Sequence, residues 1–258
     1  MSYAARLGRQ VRFENRAFWR NPAAAMFTFA FPLLFLVIFT SVFDDTAGAP
    51  GGREVDISTY YLPAILSFAV LTSCYTNVAM TVTFAREQGI LKRVAGTPLP
   101  RLVYLLGKVV HAVAIMVLLV AIVVAFGVIV YDVEVPTDTL LPFLVSLVLG
   151  AATFCALGLA VTSIIPNADA APGIVNAIAL PILFISGTFI PTDQAPDWLQ
   201  NLAEVFPLRH FIEALFAGYG LNRDAPDGWL PGDLAVVAAW GVAGVLLATR
   251  FFRWERRR

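Results

Sequence analysis

Long apolar runs alternate with short polar segments along this chain, covering residues 24–43, 60–84, 104–130, 140–165, 173–190 and 234–252. A bilayer's hydrocarbon core is about 30 Å thick, so about 20 apolar residues cross it as a helix. The pattern therefore predicts six transmembrane helices, the fifth being the shortest. Residues 3–20 follow a different rhythm. At about 100° per residue, Tyr3, Leu7, Val11 and Phe18 fall on one face, and Arg9, Arg12, Arg16 and Arg20 on the opposite one. That is the pattern of an amphipathic helix lying on the membrane surface, with its arginines reaching anionic lipid phosphates. It equally serves as a topology signal. Phe13 and Trp19 lie off the stripe, and Asn21-Pro22 supplies an N-cap and first-turn proline for the first span.

Composition agrees with the runs. Apolar residues make up 59% of the 258, against about 45–50% in soluble domains, and mean hydropathy is +0.75. Six spans leave no room for a separate soluble domain, so the expectation is one all-α integral membrane domain over residues 1–258. A net charge of zero hides a strong polarity. Arg6, Arg9, Arg12, Arg16 and Arg20 precede the first span. Arg86, Lys92, Arg93, Arg101 and Lys108 cluster between the second and third, and Arg250, Arg253, Arg256, Arg257 and Arg258 close the sequence. Only Arg53, Arg209 and Arg223 fall on the other side. The positive-inside rule then places both termini and the 85–108 segment in the cytoplasm of a multi-pass cell-membrane protein, most simply a prokaryotic one. Ala47-Gly48-Ala49 imitates a signal-peptide cleavage site. The preceding run is too long for a signal peptide, however, and Asp44 and Asp45 sit just ahead of the site. Cys74 and Cys155 both lie inside spans and offer neither a disulfide framework nor a CxxC motif.

Absences narrow the function. The sequence has no phosphate-cradling GxxxxGK[ST], no HExxH, no GxSxG and no paired intramembrane carboxylates. It reads as a non-enzymatic chain without cofactor or metal of its own, and nucleic acid is not an expected partner. Lys108 and His111 stand one turn apart near the start of the third span, where snorkelling and interface hydrogen bonding explain them better than a proton relay. Ser73, Tyr75 and Asn77 in the second span, with Asn176 and Ser186 in the fifth, are candidates for lining a translocation path. The same residue types also join membrane helices by hydrogen bonds. Gly150 and Gly158 suit close helix packing or a dimer face.

Residues 85–97 form a short basic segment in which Ile90, Leu91 and Val94 are placed to face the membrane domain. Arg86, Glu87, Lys92 and Arg93 are placed to face the cytosol, and Gly96 and Pro98 stop the helix. The string Arg86-Glu87-x-Gly89-x-Leu91-Lys92-Arg93, with Thr97-Pro98-Leu99 and then Gly107-Lys108, resembles the cytoplasmic coupling segment of type 2 ABC exporter permeases. That family includes the daunorubicin-resistance-like and polysaccharide-exporting membrane subunits. Leu180-Pro181, Ser186-Gly187, Phe189-Ile190-Pro191, Trp198-Leu199 and Pro207-Leu208 look like its fifth-span and outer-segment signature. The resemblance implies short outer helices between spans five and six. It also implies a second permease chain, identical or sibling, and separate ATPase subunits that bind ATP and Mg and receive the coupling helix, with Gly89 permitting close approach. The implied activity is outward transport of a hydrophobic drug, lipid or glycoconjugate. Two other readings remain: a membrane scaffold or sensor tied to an ATPase, and an ion-coupled secondary transporter, which the lack of intramembrane carboxylates disfavours.

Overall fold

The computed structural model describes residues 2–43, 46–49, 53–97, 99–189 and 196–252. Asp44 and Asp45, Pro98, the Ile190-Pro191 pair, Asp193, and Arg253 with Arg256, Arg257 and Arg258 lie outside them.

Helix α1 (Tyr3–Trp19) opens on Ser2, whose hydroxyl accepts the Ala5 N–H. Asn21 accepts the Ala24 N–H and, with Pro22, starts α2 (Pro22–Val42). A two-stranded antiparallel hairpin, β1 (Thr46–Ala49) with β2 (Arg53–Asp56), then leads into the second span. The hairpin breaks the all-helical expectation only locally, outside the apolar runs.

That second span is one helix from Ile57 to Glu87, made of α3 (Ile57–Val70), a π-helical turn over Leu71–Thr76, and α4 (Asn77–Glu87). It is the centre of the molecule. Of its most apolar window 72% is buried, against 17% for α2 and 11% for the last helix. A short α5 (Ile90–Ala95) precedes α6 (Arg101–Tyr131), which ends on Asp132 in the left-handed region. Helix α7 (Leu140–Val161) runs alongside α11 (Pro231–Phe251). Small residues set that approach. A Cβ on Gly241 would lie 2.7 Å from the Thr153 hydroxyl, and one on Gly244 would lie 3.0 Å from the Leu157 nitrogen. Thr153 also donates to the Val237 carbonyl at 3.0 Å.

Among the described residues, five helices are long and apolar enough to cross a membrane: α2, the composite second span, α6, α7 and α11. The predicted fifth run is shorter than expected. Helix α8 (Ala171–Ile185) has 15 residues, about 22 Å, because the chain turns at Gly187 (φ 89°). The turn drives Phe189 into an aromatic cluster with Phe35, Phe39 and Phe68, where its carbonyl accepts the Tyr61 hydroxyl at 3.1 Å. Apolar composition continued past Ile185, but burying Phe189 required leaving the helix.

The expected short helices between α8 and α11 are present as α9 (Asp197–Ala203) and α10 (Pro207–Gly218). Helix α10 is part of the core. Leu208, Phe211 and Leu215 are fully buried, and Phe211 fills the space left by the absent side chain of Gly150. Its polar edge is tied down by Arg209–Glu213 at 2.7 Å and by His210, whose ring nitrogens lie 2.7 Å from Asp233 and 2.8 Å from the Glu204 carbonyl oxygen.

Candidate functional site

Two places bring the candidate residues together: the basic end of the second span, and a cavity beside its π turn.

At the basic end, α4 stops at Glu87. The Gln88 and Gly89 N–H groups cap it by donating to the Phe84 and Arg86 carbonyls at 3.0 Å each. Gly89 is left-handed (φ 69°), a conformation that glycine adopts at little cost, so the chain changes direction there before α5 begins. The 85–97 segment is therefore not one helix: 85–87 complete the second span, and α5 stands off it. Leu91 is fully buried, Ile90 and Val94 pack half-buried against the core, and Lys92 and Arg93 are exposed, as their spacing predicted. Arg93 also donates to the Gln88 carbonyl at 3.1 Å, bracing the turn. Glu87 is half-buried at the junction.

Arg86 departs from the expected cytosolic orientation. Its side chain is buried and donates to the Thr162 carbonyl at 2.8 Å and to the Ile165 carbonyl at 2.5 Å. Carbonyls at a helix C-terminus have no intrahelical partner and carry partial negative charge, and a guanidinium has five N–H donors to meet them. Arg86 thus binds the second span to the end of α7, while Lys92 and Arg93 remain outward.

The cavity, about 530 Å³, lies between α1, α2, the second span and α6. Helix α2 packs on α3 and α6 rather than along α4, and the divergence opens this space. Phe27 and Phe31 of α2 line one side, and the second span lines the other with Phe68 and the polar row Thr72, Ser73, Thr76 and Asn77. The row spans the π turn of Leu71–Thr76 and the first residue after it, and such turns recur at functional sites. Ser73 is 2% exposed, and its hydroxyl finds no hydrogen-bond partner among the described residues. At the basic end the cavity is bounded by Lys108, 3.1 Å from Glu14 of α1, and by His111, whose ring meets Phe18 edge-on. Lys108 is thus an ion-paired tie between α1 and α6 rather than a snorkelling residue.

The pairing follows from how α1 sits. Leu7, Gln10, Val11, Glu14 and Phe18 form its half-buried face, while Arg9, Arg12, Arg16 and Arg20 are exposed, as expected. Tyr3 is exposed rather than on the packed stripe. Gly107 allows the contact, since any side chain there would collide with Gln10. Hydropathy had no means of assigning Gln10 and Glu14 to the packed face.

The five path candidates do not share one surface. Ser73 and Asn77 line the cavity. Tyr75 faces away from it, into an apolar groove of about 610 Å³ bordered by α7, α8 and α11. Asn176 is exposed on α8, and Ser186 is buried with its hydroxyl on the Ile182 carbonyl. Gly158 packs against the Tyr75 carbonyl and Gly150 against Phe211, so both serve the core. Among the described residues no cluster of His, Cys, Asp and Glu has the makings of a metal site.

Comparison with known proteins gives the arrangement a lineage. The ABC-2 type transporter family profile matches residues 9–219, from α1 through α10. YvfS of Bacillus subtilis, named as a transport permease, is 25% identical over 205 residues, covering 80% of this chain and 82% of that protein. YbhR of Escherichia coli K12, named as a multidrug ABC transporter permease, is 26% identical over 160 residues; the match covers 62% of this chain but only 43% of YbhR. The ycf38 protein of Cyanophora paradoxa, also named as a transport permease, is 26% identical over 200 residues, 76% of this chain and 68% of that one. With a family match across most of its length and five bilayer-length helices, the chain is a multi-pass membrane protein that belongs to the ABC-2 type transporter family.

Proposed function

We propose that this permease is the membrane half of an ATP-driven exporter. Two such chains, identical or sibling, enclose the path. Separate ATPase subunits at the basic, cytoplasmic face bind ATP and Mg and hydrolyse the nucleotide, and this chain contributes no catalytic residue of its own. The observation that carries the reading is α5: a short helix set off the second span by left-handed Gly89, rooted by buried Leu91, with Lys92 and Arg93 presented outward. A partner gripping that helix moves the second span directly, and Arg86 carries the motion on to the α7–α8 turn. A chain without a nucleotide site draws on ATP only through contacts that differ between the partner's states.

An outward direction and a hydrophobic drug, lipid or glycoconjugate as cargo fit the apolar grooves, and the multidrug name of the E. coli relative supports the same class. The exposed Arg9, Arg12, Arg16 and Arg20 of α1 reach lipid phosphates at the same face. Glu87→Arg, co-expressed with the ATPase subunit from the same source, reverses the charge at the α4–α5 junction. Membrane insertion is expected to stay normal while cargo-stimulated ATP hydrolysis falls. Hydrolysis stimulated as in the unsubstituted protein overturns the docking role.

A further inference from the structure

A histidine ring with acceptors on both of its nitrogens needs a definite number of protons. His210 of α10 has its Nδ1 2.7 Å from the Asp233 carboxylate and its Nε2 2.8 Å from the Glu204 carbonyl oxygen. A carbonyl has no hydrogen to give. Asp233 lies in the first turn of α11, where the helix terminus favours an anion. A neutral imidazole carries one N–H and one lone pair, so it makes one of these bonds and turns its lone pair on the other acceptor. Both are made only when both nitrogens carry hydrogen, that is, by the imidazolium. The side chains are 18% exposed for His210 and 25% for Asp233, so the pair is half-enclosed yet open to exchange of protons.

Three elements meet at this ring. Glu204 closes α9, His210 stands in the first turn of α10, and Asp233 begins α11. The other charged groups nearby are accounted for. Arg209 and Glu213 of α10 pair with each other at 2.7 Å, and Asp197 and Glu204 of α9 are exposed, as are Arg223, Asp224 and Asp227 after α10. Helices α3, α7 and α8, which also pack on α10, contain no Asp, Glu, Lys, Arg or His. We propose that His210 is a proton-operated clasp: doubly protonated, it holds the α9–α10 corner against α11, and neutral, it lets one of the two contacts go. The stabilisation is present in full while the ring carries two protons and Asp233 is ionised. It is lost as the pH rises and the ring sheds one, a change that histidines make across about pH 5–8. A second tie, from the Trp240 indole N–H to the Val205 carbonyl at 3.1 Å, does not depend on pH and keeps the corner attached. Phe206, Pro207 and Trp240 border the apolar groove beside Tyr75, so releasing the corner alters the end of that groove away from Phe251. In the orientation proposed above this is the outer end, and that consequence alone rests on the transport reading.

The test uses the full chain, 15N-labelled at its two histidines, in phosphatidylethanolamine–phosphatidylglycerol nanodiscs that open both faces to the buffer. Signals missing from His210→Gln identify the His210 ring in solid-state NMR. Both of its nitrogens are expected to be protonated at pH 5.5, and only one at pH 8.5. Amide exchange in 204–211, corrected for the intrinsic effect of pH, is expected to be about fivefold faster at pH 8.5, the worth of one hydrogen bond. Asp233→Asn separates the clasp from mere packing. Its amide donates to Nδ1 while Nε2–H donates to the Glu204 carbonyl, so a neutral ring makes both bonds. That variant is expected to fold and to show the same corrected exchange at both pH values. The proposal is overturned if the ring has a single protonated nitrogen at pH 5.5, or if the corrected exchange of the unsubstituted chain ignores pH. An Asp233→Asn chain that keeps the full pH response has the same consequence. No nucleotide or ATPase enters these measurements, so failure here leaves the docking role of α5 untouched, and the converse holds.

Discussion

The second span presents two unlike faces. Where it crosses α7 it is tightly held: the Tyr75 carbonyl lies where a Cβ on Gly158 would come within 2.7 Å, and Arg86 is held by two carbonyls beyond the end of α7, with the apolar groove beside Tyr75 lying to one side of this crossing. Toward α2 and α6 it is open, with a polar row facing Phe27 and Phe31 across a cavity of about 530 Å³. One helix, a few residues apart, thus joins a tightly packed wall to an open one. Packed backbone at the α7 crossing leaves no slack, whereas the α2 side leaves space between the helices.

Substitutions on the tightly held side break or sharpen this contrast. The largest effect is expected from Gly158→Leu. Its side chain meets backbone rather than a flexible neighbour, and overpacking of that kind costs about 3 kcal/mol, seen as a lowered unfolding midpoint in detergent or nanodiscs. A midpoint unchanged by this substitution would mean that the two faces do not differ in packing. Arg86→Met is expected to cost about 2 kcal/mol by leaving two buried carbonyls unpaired. Denaturant unfolding reads that loss, and removing the exposed Lys92 or Arg93 side chain in the same assay is expected to change little. If Arg86→Met leaves stability intact, Arg86 is a surface residue after all and rejoins the docking set. Thr153→Val, one layer further out on the α7–α11 seam, is expected to cost about 0.6 kcal/mol, a typical interhelical hydrogen bond in a membrane protein. A much larger loss would place the weight of the tightly held side on hydrogen bonding rather than on the close approach at Gly241 and Gly244.

Much of this was legible along the chain. Apolar runs predicted α2, the second span, α6, α7 and α11 to within a few residues at most ends, because bilayer thickness and helical rise tie length directly to hydropathy. The α1 stripe, the α2 cap and the outward Lys92 and Arg93 followed from local periodicity and turn chemistry. The shortened α8 was not legible, since Phe189 reads equally well as lipid-facing or as core. Nor was the break at Gln88–Gly89 inside the expected 85–97 helix, although Gly89 was the signal that marked it.

What the sequence by itself determined is the class of molecule: a multi-pass helical membrane protein whose basic segment between the second and third spans matches a known family. Those properties depend on solvation and on neighbours a few residues away. Only the tertiary structure decided which of the similar residues did what. Arg86 and Arg93 are seven positions apart with the same side chain, and only contacts 76 and 79 residues distant make one a buried clamp and leave the other exposed. Ser73 and Tyr75, two positions apart, fall on opposite sides of the helix as that spacing dictates, but only the packed neighbours make one side a cavity beside α2 and the other an apolar groove beside α7, α8 and α11. Each of those outcomes depends on the partner helix standing opposite, which a residue's own spacing along the chain does not encode.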